Sequence, residues 1–495
     1  MELTFYLQAV YFTSDVPNYK QMCQDTVAVY TQAVRYLADV IAKEWANVGG
    51  YKDNTCIAVV EGLTHCTKTH PDPAYDFDVR FPNIPSYLRR QAIKKAYGAI
   101  SSWKSSLADW MAAGCPGKVP GFPVFSEEFP CLYNGNMYER TGRCTAKIKL
   151  YGIQRPGQGV KKPARKSEAA KYEKTYEAKS KVWDWVEIKL KTSDVNYIET
   201  HCASFQVKPP TLYRDGKRWL LRPAFTTSTE FTDKPVMERV ILAVDLGLNR
   251  PCVCTVMRAD GTVLARKFAY LKSDIGSLEH ALNQIKRAQQ HGSRSMPCLW
   301  RKVIHRNEKL AADTSAFIIE CAVQYHADVI VFEHLDLNGK KRGSKRQKLH
   351  HWKARAVQNT VTTQAHLRGI RVSHVNAWGT SRLAFDGSGK TERGKYIQNG
   401  KEMYNYSICV FPNGKQYDCD LNAAYNIGAR YFIREILKSL PETARLDIQA
   451  KVPECSKRST CVLASLIRLN AALAFSSDKD GEDSSEASSL SSACI

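Results

Sequence analysis

The spacing of apolar and polar residues changes several times along the chain, and each change predicts a different kind of element. Residues 1–15, MELTFYLQAVYFTSD, alternate with a period of two and read as a strand. From there to about Trp45 the apolar positions recur at helical spacing. A polar connector with Pro and Asp leads into SYLRRQAIKKAYGAISSWKSSLADW, residues 86–110, where helical spacing returns. Arg89, Arg90, Lys94 and Lys95 cluster in its first half. Beyond the Gly/Pro-rich loop at 114–123, TAKIKLYGI, WDWVEIKLKT and KRWLLRPAFTT are β-like runs, separated by turns and by a lysine-rich stretch at 161–181. The pattern predicts a small β-barrel whose first strand is 1–15, interrupted by a helical insertion over 16–120 and completed over 121–237.

From Glu238 the strands lose their polar face. RVILAVDLGL is too apolar to lie on a surface, and CVCTVMRADGTVLARKF reads as a hairpin turned at Asp260-Gly261. Two helical stretches follow. Leu310, Phe317, Ile318 and Cys321 share a face of the second, which runs into ADVIVFEHLD, another buried strand. A helix from about His350, the strand GIRVSHV, an irregular segment and a helix opened by YDCDLNAAYNIGAR complete the order. Three hairpin-connected strands followed by alternating helices and strands is the order of a ribonuclease H-like α/β fold. That domain is expected over 238–377 and 417–440, split by a segment at 378–416 and followed by an extension over 441–495. The last twenty residues carry five acids and one lysine among serines, and are expected to form a disordered tail.

Charge narrows the partner. The 71 Lys and Arg against 49 Asp and Glu give a net charge of +22. Such an excess costs self-repulsion and points to a polyanion. No apolar run approaches the ~18 residues of a membrane span, and the N-terminus lacks the basic-then-apolar pattern of a secretion signal. The sixteen cysteines form no CxxC pair and read as reduced thiols of a cytoplasmic protein. Cys56, His65, Cys66 and His70 are spaced too irregularly for a zinc site and read as coincidence in a polar loop.

In the expected sheet Asp245 lies on the central strand, Glu333 ends a neighbouring one, and an acid of the YDCDLNAA turn opens the helix packed across them. Three carboxylates there would repel one another unless cations sat between them. Mg²⁺ takes hard oxygen ligands, and a pair of ions suits phosphodiester hydrolysis. Asp418 and Asp420 both qualify as the third acid by position, and capping alone explains an acid at a helix start.

AVDLGLN, IVFEHLDL and DCDLNAAYNIGAR, in that order and spacing, resemble the RuvC-type nuclease segments of the TnpB and compact type V CRISPR effector family. CLWRKVIHRNEKLAADTSAFIIECA is similar to the helix before that family's catalytic glutamate, and YRDGKRWLLRPAF to the closing strand of its N-terminal, wedge-like barrel. The match covers roughly residues 205–437. The resemblance implies Asp245, Glu333 and Asp420 as catalytic and metal-holding acids, with two Mg²⁺ ions for which Mn²⁺ can substitute. It implies an RNA-guided DNA endonuclease, one chain holding a guide RNA, with a double-stranded target bearing a short flanking motif; a monomer is favoured, with the oligomeric state left open. The helical insertion would then recognise nucleic acid through Arg89, Arg90, Lys94 and Lys95.

One departure stands out. The family's TS-CxxC and second CxxC build a zinc ribbon, whereas TSRLAFDGSG at 380–389 has no cysteine and SICVFPNGKQYDCD offers Cys409 alone at the second position. No structural zinc is expected, and the 378–416 segment is expected to load the target strand without it. The basic run GKKRGSKRQKLHHWKAR follows Glu333. Its Lys340, Lys341, Arg342, Lys345, Arg346 and Lys348 are expected to contact phosphates. Two other readings stand beside the nuclease: a guided DNA-binding silencer that does not cut, and an unguided structure-specific nuclease of the same fold.

Overall fold

The computed structural model describes residues 2–51, 54–66, 71–115, 117–153, 181–247, 250–335, 353–457 and 459–475. The lysine-rich stretch at 161–181 falls almost wholly outside them, as do the basic run 340–348, His70 and the acidic tail. The chain divides into two compact units, one from Glu2 to Thr227 and one from Ser228 onward.

The first unit mixes antiparallel strands with helices. Its strands are β1 (Glu2–Phe5), β2 (Val10–Thr13), β3 (Tyr138–Arg140), β4 (Thr145–Ile153), β5 (Lys181–Leu190), β6 (Gln206–Val207), β7 (Thr211–Asp215), β8 (Arg218–Arg222) and β9 (Phe225–Ser228). Six of them pair in the order β3-β4-β5-β2-β8-β7, and β1-β9-β6 form a separate sheet. The single strand expected over residues 1–15 is therefore two, serving different sheets. Alternation persists through Tyr6–Ala9, but the backbone leaves one sheet there and joins the other.

Between β2 and β3 lie α1 (Tyr19–Lys43), α2 (Trp45–Val48), α3 (Thr55–Thr64), α4 (Phe77–Arg80) and α5 (Ser86–Ala112); α6 (Thr192–His201) follows β5. Cys23, Val27, Tyr30, Val34, Leu37 and Ile41 make the buried stripe of α1 at spacings of three and four. Leu88, Ala92, Ile93, Ala96 and Ile100 do the same for α5, and both stripes enter one core. Burying such stripes, at about 25 cal/mol per Å² of apolar surface, is what holds helices of this length in place.

The second unit is a mixed sheet covered on both faces. β10 (Val240–Asp245), β11 (Val253–Arg258) and β12 (Val263–Phe268) are antiparallel neighbours, while β13 (Val329–His334) and β14 (Arg371–Asn376) run parallel to β10. The strand order is β12-β11-β10-β13-β14, with β10 central. Gly261, at φ +92°, makes the β11–β12 turn, and Asp260 closes it by accepting from the Thr262 amide at 2.8 Å.

The apolar strands separate their side chains cleanly. Ile241 and Ala243 of β10 with Val329 and Val331 of β13 enter the core beneath α10 (Cys419–Ser439). Leu242 and Val244 with Ile330 and Phe332 enter the opposite core, against α8 (Pro297–Gln324) and α9 (Ala354–His366). α7 (Lys272–Gln290) packs on α8, and α11 (Glu442–Lys451) follows α10. Between β14 and α10 a three-stranded antiparallel sheet forms from β15 (Glu392–Gln398), β16 (Lys401–Val410) and β17 (Gln416–Asp418). Among the described residues, no helix is long and apolar enough to cross a membrane.

Candidate active site

β10 and β13 are parallel with Val244 beside Phe332, so Asp245 and Glu333 follow as neighbours at the C-terminal ends of the two strands. Residues 241, 243 and 245 share one face, as do 329, 331 and 333, and that face is the one α10 covers. Asp420 is the second residue of α10. The helix can lie close because Gly428 has no side chain: a Cβ there would stand 2.4 Å from Met257 Sδ and 3.3 Å from Ala243 Cβ. Small residues in the YDCDLNAAYNIGAR turn-helix thus bring one acid to two others.

The two acids of the turn divide the work. Asp418 is the N-cap, accepting from the Asp420 and Leu421 amides at 3.1 and 3.0 Å, and it also receives Arg250 at 2.8 Å. Asp420 is left facing the strand ends, with Arg393 at 3.6 Å and Arg250 at 4.0 Å.

The electrostatics record the crowding. Burial, then Glu333 and Asp420, hold the Asp245 carboxyl well above the ordinary carboxylate range. Burial also raises Glu333, against the lowering effect of a hydrogen bond from Thr380 and of Arg430. Burial and then Asp418 raise Asp420, while Arg250 and Arg393 oppose them. Among the described residues Asp245 has no hydrogen-bond or ion-pair partner. No three His, Cys, Asp or Glu side chains among those residues stand close enough to hold an ion as they are. In donor chemistry the set nevertheless fits a hard divalent cation: three oxygen acids, two of which raise the third, and that third one unpartnered among the described residues.

Around the acids lie groups the sequence reading passed over. The Thr380 hydroxyl donates to Glu333 Oε1. α10 is buried nearly all round, yet carries Asn422, Asn426 and Arg430 at i, i+4 and i+8. Asn422 donates to the Leu383 carbonyl and accepts from the Phe385 amide, both at 2.9 Å. Asn426 donates to the carbonyls of Thr380 and Leu383 at 2.9 and 2.8 Å. Arg430 donates to the carbonyls of Asn376, Trp378, Ser459 and Cys461 at 2.7–3.0 Å. The signal was present: a polar stripe on a helix otherwise too apolar for a surface must find buried partners.

The 378–416 segment is built on an aromatic cluster. Phe385 meets the rings of Phe411, Tyr417 and Tyr425 at centroid distances of 5.5, 5.0 and 5.1 Å. Cys409 and Cys419 are buried beside them, and the bond from Cys409, assisted by Arg393, brings the Cys419 thiol down to about 7 against burial.

In the first unit the basic candidates separate. Arg89 requires a correction. It is 7% exposed and paired with Glu61 at 2.9 Å, because α5 turns this position toward α3, so its charge serves the interior. Arg90 is exposed and reaches the same Glu61 at 3.3 Å, Lys95 pairs with Glu128 at 3.0 Å, and Lys94 is exposed beside a cleft lined by Asn54, Tyr87, Gln91 and Tyr133. Cys56 is buried in α3, His65 bonds Asp78 at 2.8 Å, and Cys66 is exposed.

The model of the Aq_aa04 family matches residues 9–152. The uncharacterized protein aq_aa04 of Aquifex aeolicus (strain VF5) is 30% identical over 132 residues, 23% of this chain and 73% of that protein. Solved structures similar to the chain include a Cas12f1–sgRNA–target DNA complex, at 14% identity, covering 86% of this chain and 98% of that one with a TM-score of 0.30. CasPhi-2 (Cas12j) bound to crRNA and phosphorothioate DNA gives 12% identity, 86% and 90% coverage, and a TM-score of 0.36. An AacC2c1–sgRNA–non-target DNA complex gives 10% identity, 80% and 63% coverage, and a TM-score of 0.36. Likeness at this level is coarse, and the functional reading stands on the site itself.

Proposed function

The chain belongs to the Aq_aa04 family through residues 9–152, and from the three acids of its second unit we propose that it is an RNA-guided DNA endonuclease. The observation that carries the reading is the convergence of Asp245 and Glu333, at adjacent strand ends, with Asp420 at the mouth of the helix that covers them. The order of five strands with β10 central, three antiparallel and two parallel, is read as a ribonuclease H-like, RuvC-type domain. The antiparallel strands and helices of the first unit are read as the wedge-like barrel and its recognition insertion.

Asp245, Glu333 and Asp420 would hold Mg²⁺, which when bound supplies Lewis-acid stabilisation of the attacking and leaving oxygens in phosphodiester hydrolysis. The chain's own groups do the rest. Asp418 fixes the helix mouth so that Asp420 points at the strand ends, and Arg250 and Arg393 offset negative charge that would otherwise accumulate around Asp420. The charge of +22 suits a protein that grips nucleic acid through phosphates, with sequence delegated to a guide.

A second reading, guided binding without cutting, is favoured by one observation: Asp420 stands between two arginines, which compete with a cation for its oxygens. Sequencing the RNA that co-purifies with the protein tests the guided part of both readings. A discrete RNA population that directs binding to complementary DNA is expected. Loss of binding specificity after that RNA is exchanged for an unrelated one would support guidance, and unchanged specificity would point to the unguided nuclease.

A further inference from the structure

We infer that Thr380 is a positioning residue for Glu333, and that α10 sets its place through Asn422, Asn426 and Arg430. The inference rests on the three-acid reading above and deepens it.

The chain of contacts is continuous. Glu333 ends β13, where its backbone carbonyl accepts from Gln358 of α9 at 2.9 Å. Its carboxylate receives the Thr380 hydroxyl. Thr380 is 3% exposed and lies in an irregular stretch after β14, where the Arg382 and Leu383 amides bond the Gly379 carbonyl and Leu383 bridges to Lys390. Side chains of α10 tie this stretch to the helix. Asn426 holds the Thr380 carbonyl itself and that of Leu383, Asn422 holds Leu383 and Phe385, and Arg430 ties the Asn376 and Trp378 carbonyls ahead of Thr380. One stripe of three residues therefore clamps both sides of Thr380.

The same helix presents Asp420 two residues before Asn422. α10 thus sets two of the three acids: Asp420 directly, and Glu333 through the clamped Thr380. This gives the two asparagines and the arginine of DLNAAYNIGAR a reason that capping and close packing do not supply. A carboxylate held by one hydroxyl retains free lone pairs for a cation, whereas an arginine partner would compete for them. Partners of ligating carboxylates typically change metal affinity or activity by about 10–100-fold when removed.

The test compares Thr380→Val, which keeps shape and removes the hydroxyl, with Thr380→Ser, which keeps the hydroxyl, in the full chain with its co-purified nucleic acid. Mn²⁺ binding by titration calorimetry and guided cleavage kinetics are read together. Thr380→Val should weaken Mn²⁺ binding about 10-fold or more and lower kcat with KM for DNA unchanged, while Thr380→Ser restores both. Equal behaviour of Val and wild type, or failure of Ser to rescue, overturns the inference. Asp245→Ala separates it from the parent reading: if that variant binds Mn²⁺ and cuts like wild type, the three-acid site itself is wrong. Circular dichroism of Thr380→Val showing an intact fold keeps a loss of binding from being mere unfolding.

Discussion

Asp245 ends a strand whose preceding residues are wholly apolar, and among the described residues nothing bonds its carboxyl. Its pKa, and those of Glu333 and Asp420, are raised on folding, so the folded state holds more protons than the unfolded chain across the window from the ordinary carboxylate range up to the raised values. Stability from these groups is present below that window and is lost as pH rises through it. In metal-free buffer the thermal midpoint of wild type should therefore fall relative to Asp245→Asn as pH rises above about 4. Parallel curves would mean that folding does not raise the Asp245 carboxyl. Arg89 gives the opposite kind of residue. Replacing it by Gln leaves the half-buried Glu61 with only the exposed Arg90, and should cost about 1–3 kcal/mol of stability. Lys94→Gln should stay within about 0.5 kcal/mol and weaken nucleic-acid binding instead. Denaturant titration with a filter-binding assay distinguishes them.

At the scale of elements, α10 is the part that joins fold to site. Gly428→Ala would force a methyl against Met257 and Ala243. The Met257 side chain can move; the strand beneath Ala243 cannot. The expected cost is about 1–3 kcal/mol, with cleavage reduced more than DNA binding, since the helix carries Asp420 away from the strand ends. A variant as stable and active as wild type would show that the helix has slack.

Elements fixed by one dominant local signal were legible in the sequence. The apolar runs of β10 and β13, the Asp-Gly turn of the hairpin and the long stripes of α1 and α5 all lie where the pattern predicts them. What escaped depends on partners distant along the chain. Thr380 meets Glu333 across 47 residues, and no local period announces that contact. The break between β1 and β2 escaped because alternation reports which face is buried, not which sheet a strand joins. Arg89 was grouped with its basic neighbours because composition cannot tell an interior ion pair from a surface patch.

For the whole molecule the +22 charge is a statement about its partner. Each phosphate neutralised should contribute about −0.7 to −0.9 to the log–log slope of binding against salt. Changing Lys340, Lys341, Arg342, Lys345, Arg346 and Lys348 together to Gln should make that slope shallower by several units and weaken binding similarly across target sequences. An unchanged slope would make the run a solvated loop. The proposal as a whole depends on chemistry at the acids, and guided cleavage measured beside guided binding reads it most directly. With its co-purified RNA and Mg²⁺, wild type should cut complementary DNA, and chelating the metal should stop it. Asp245→Ala should bind the same DNA with little change in affinity and leave it intact. Cutting by Asp245→Ala at the wild-type rate, or by wild type in excess chelator, would contradict a metal-dependent three-carboxylate nuclease.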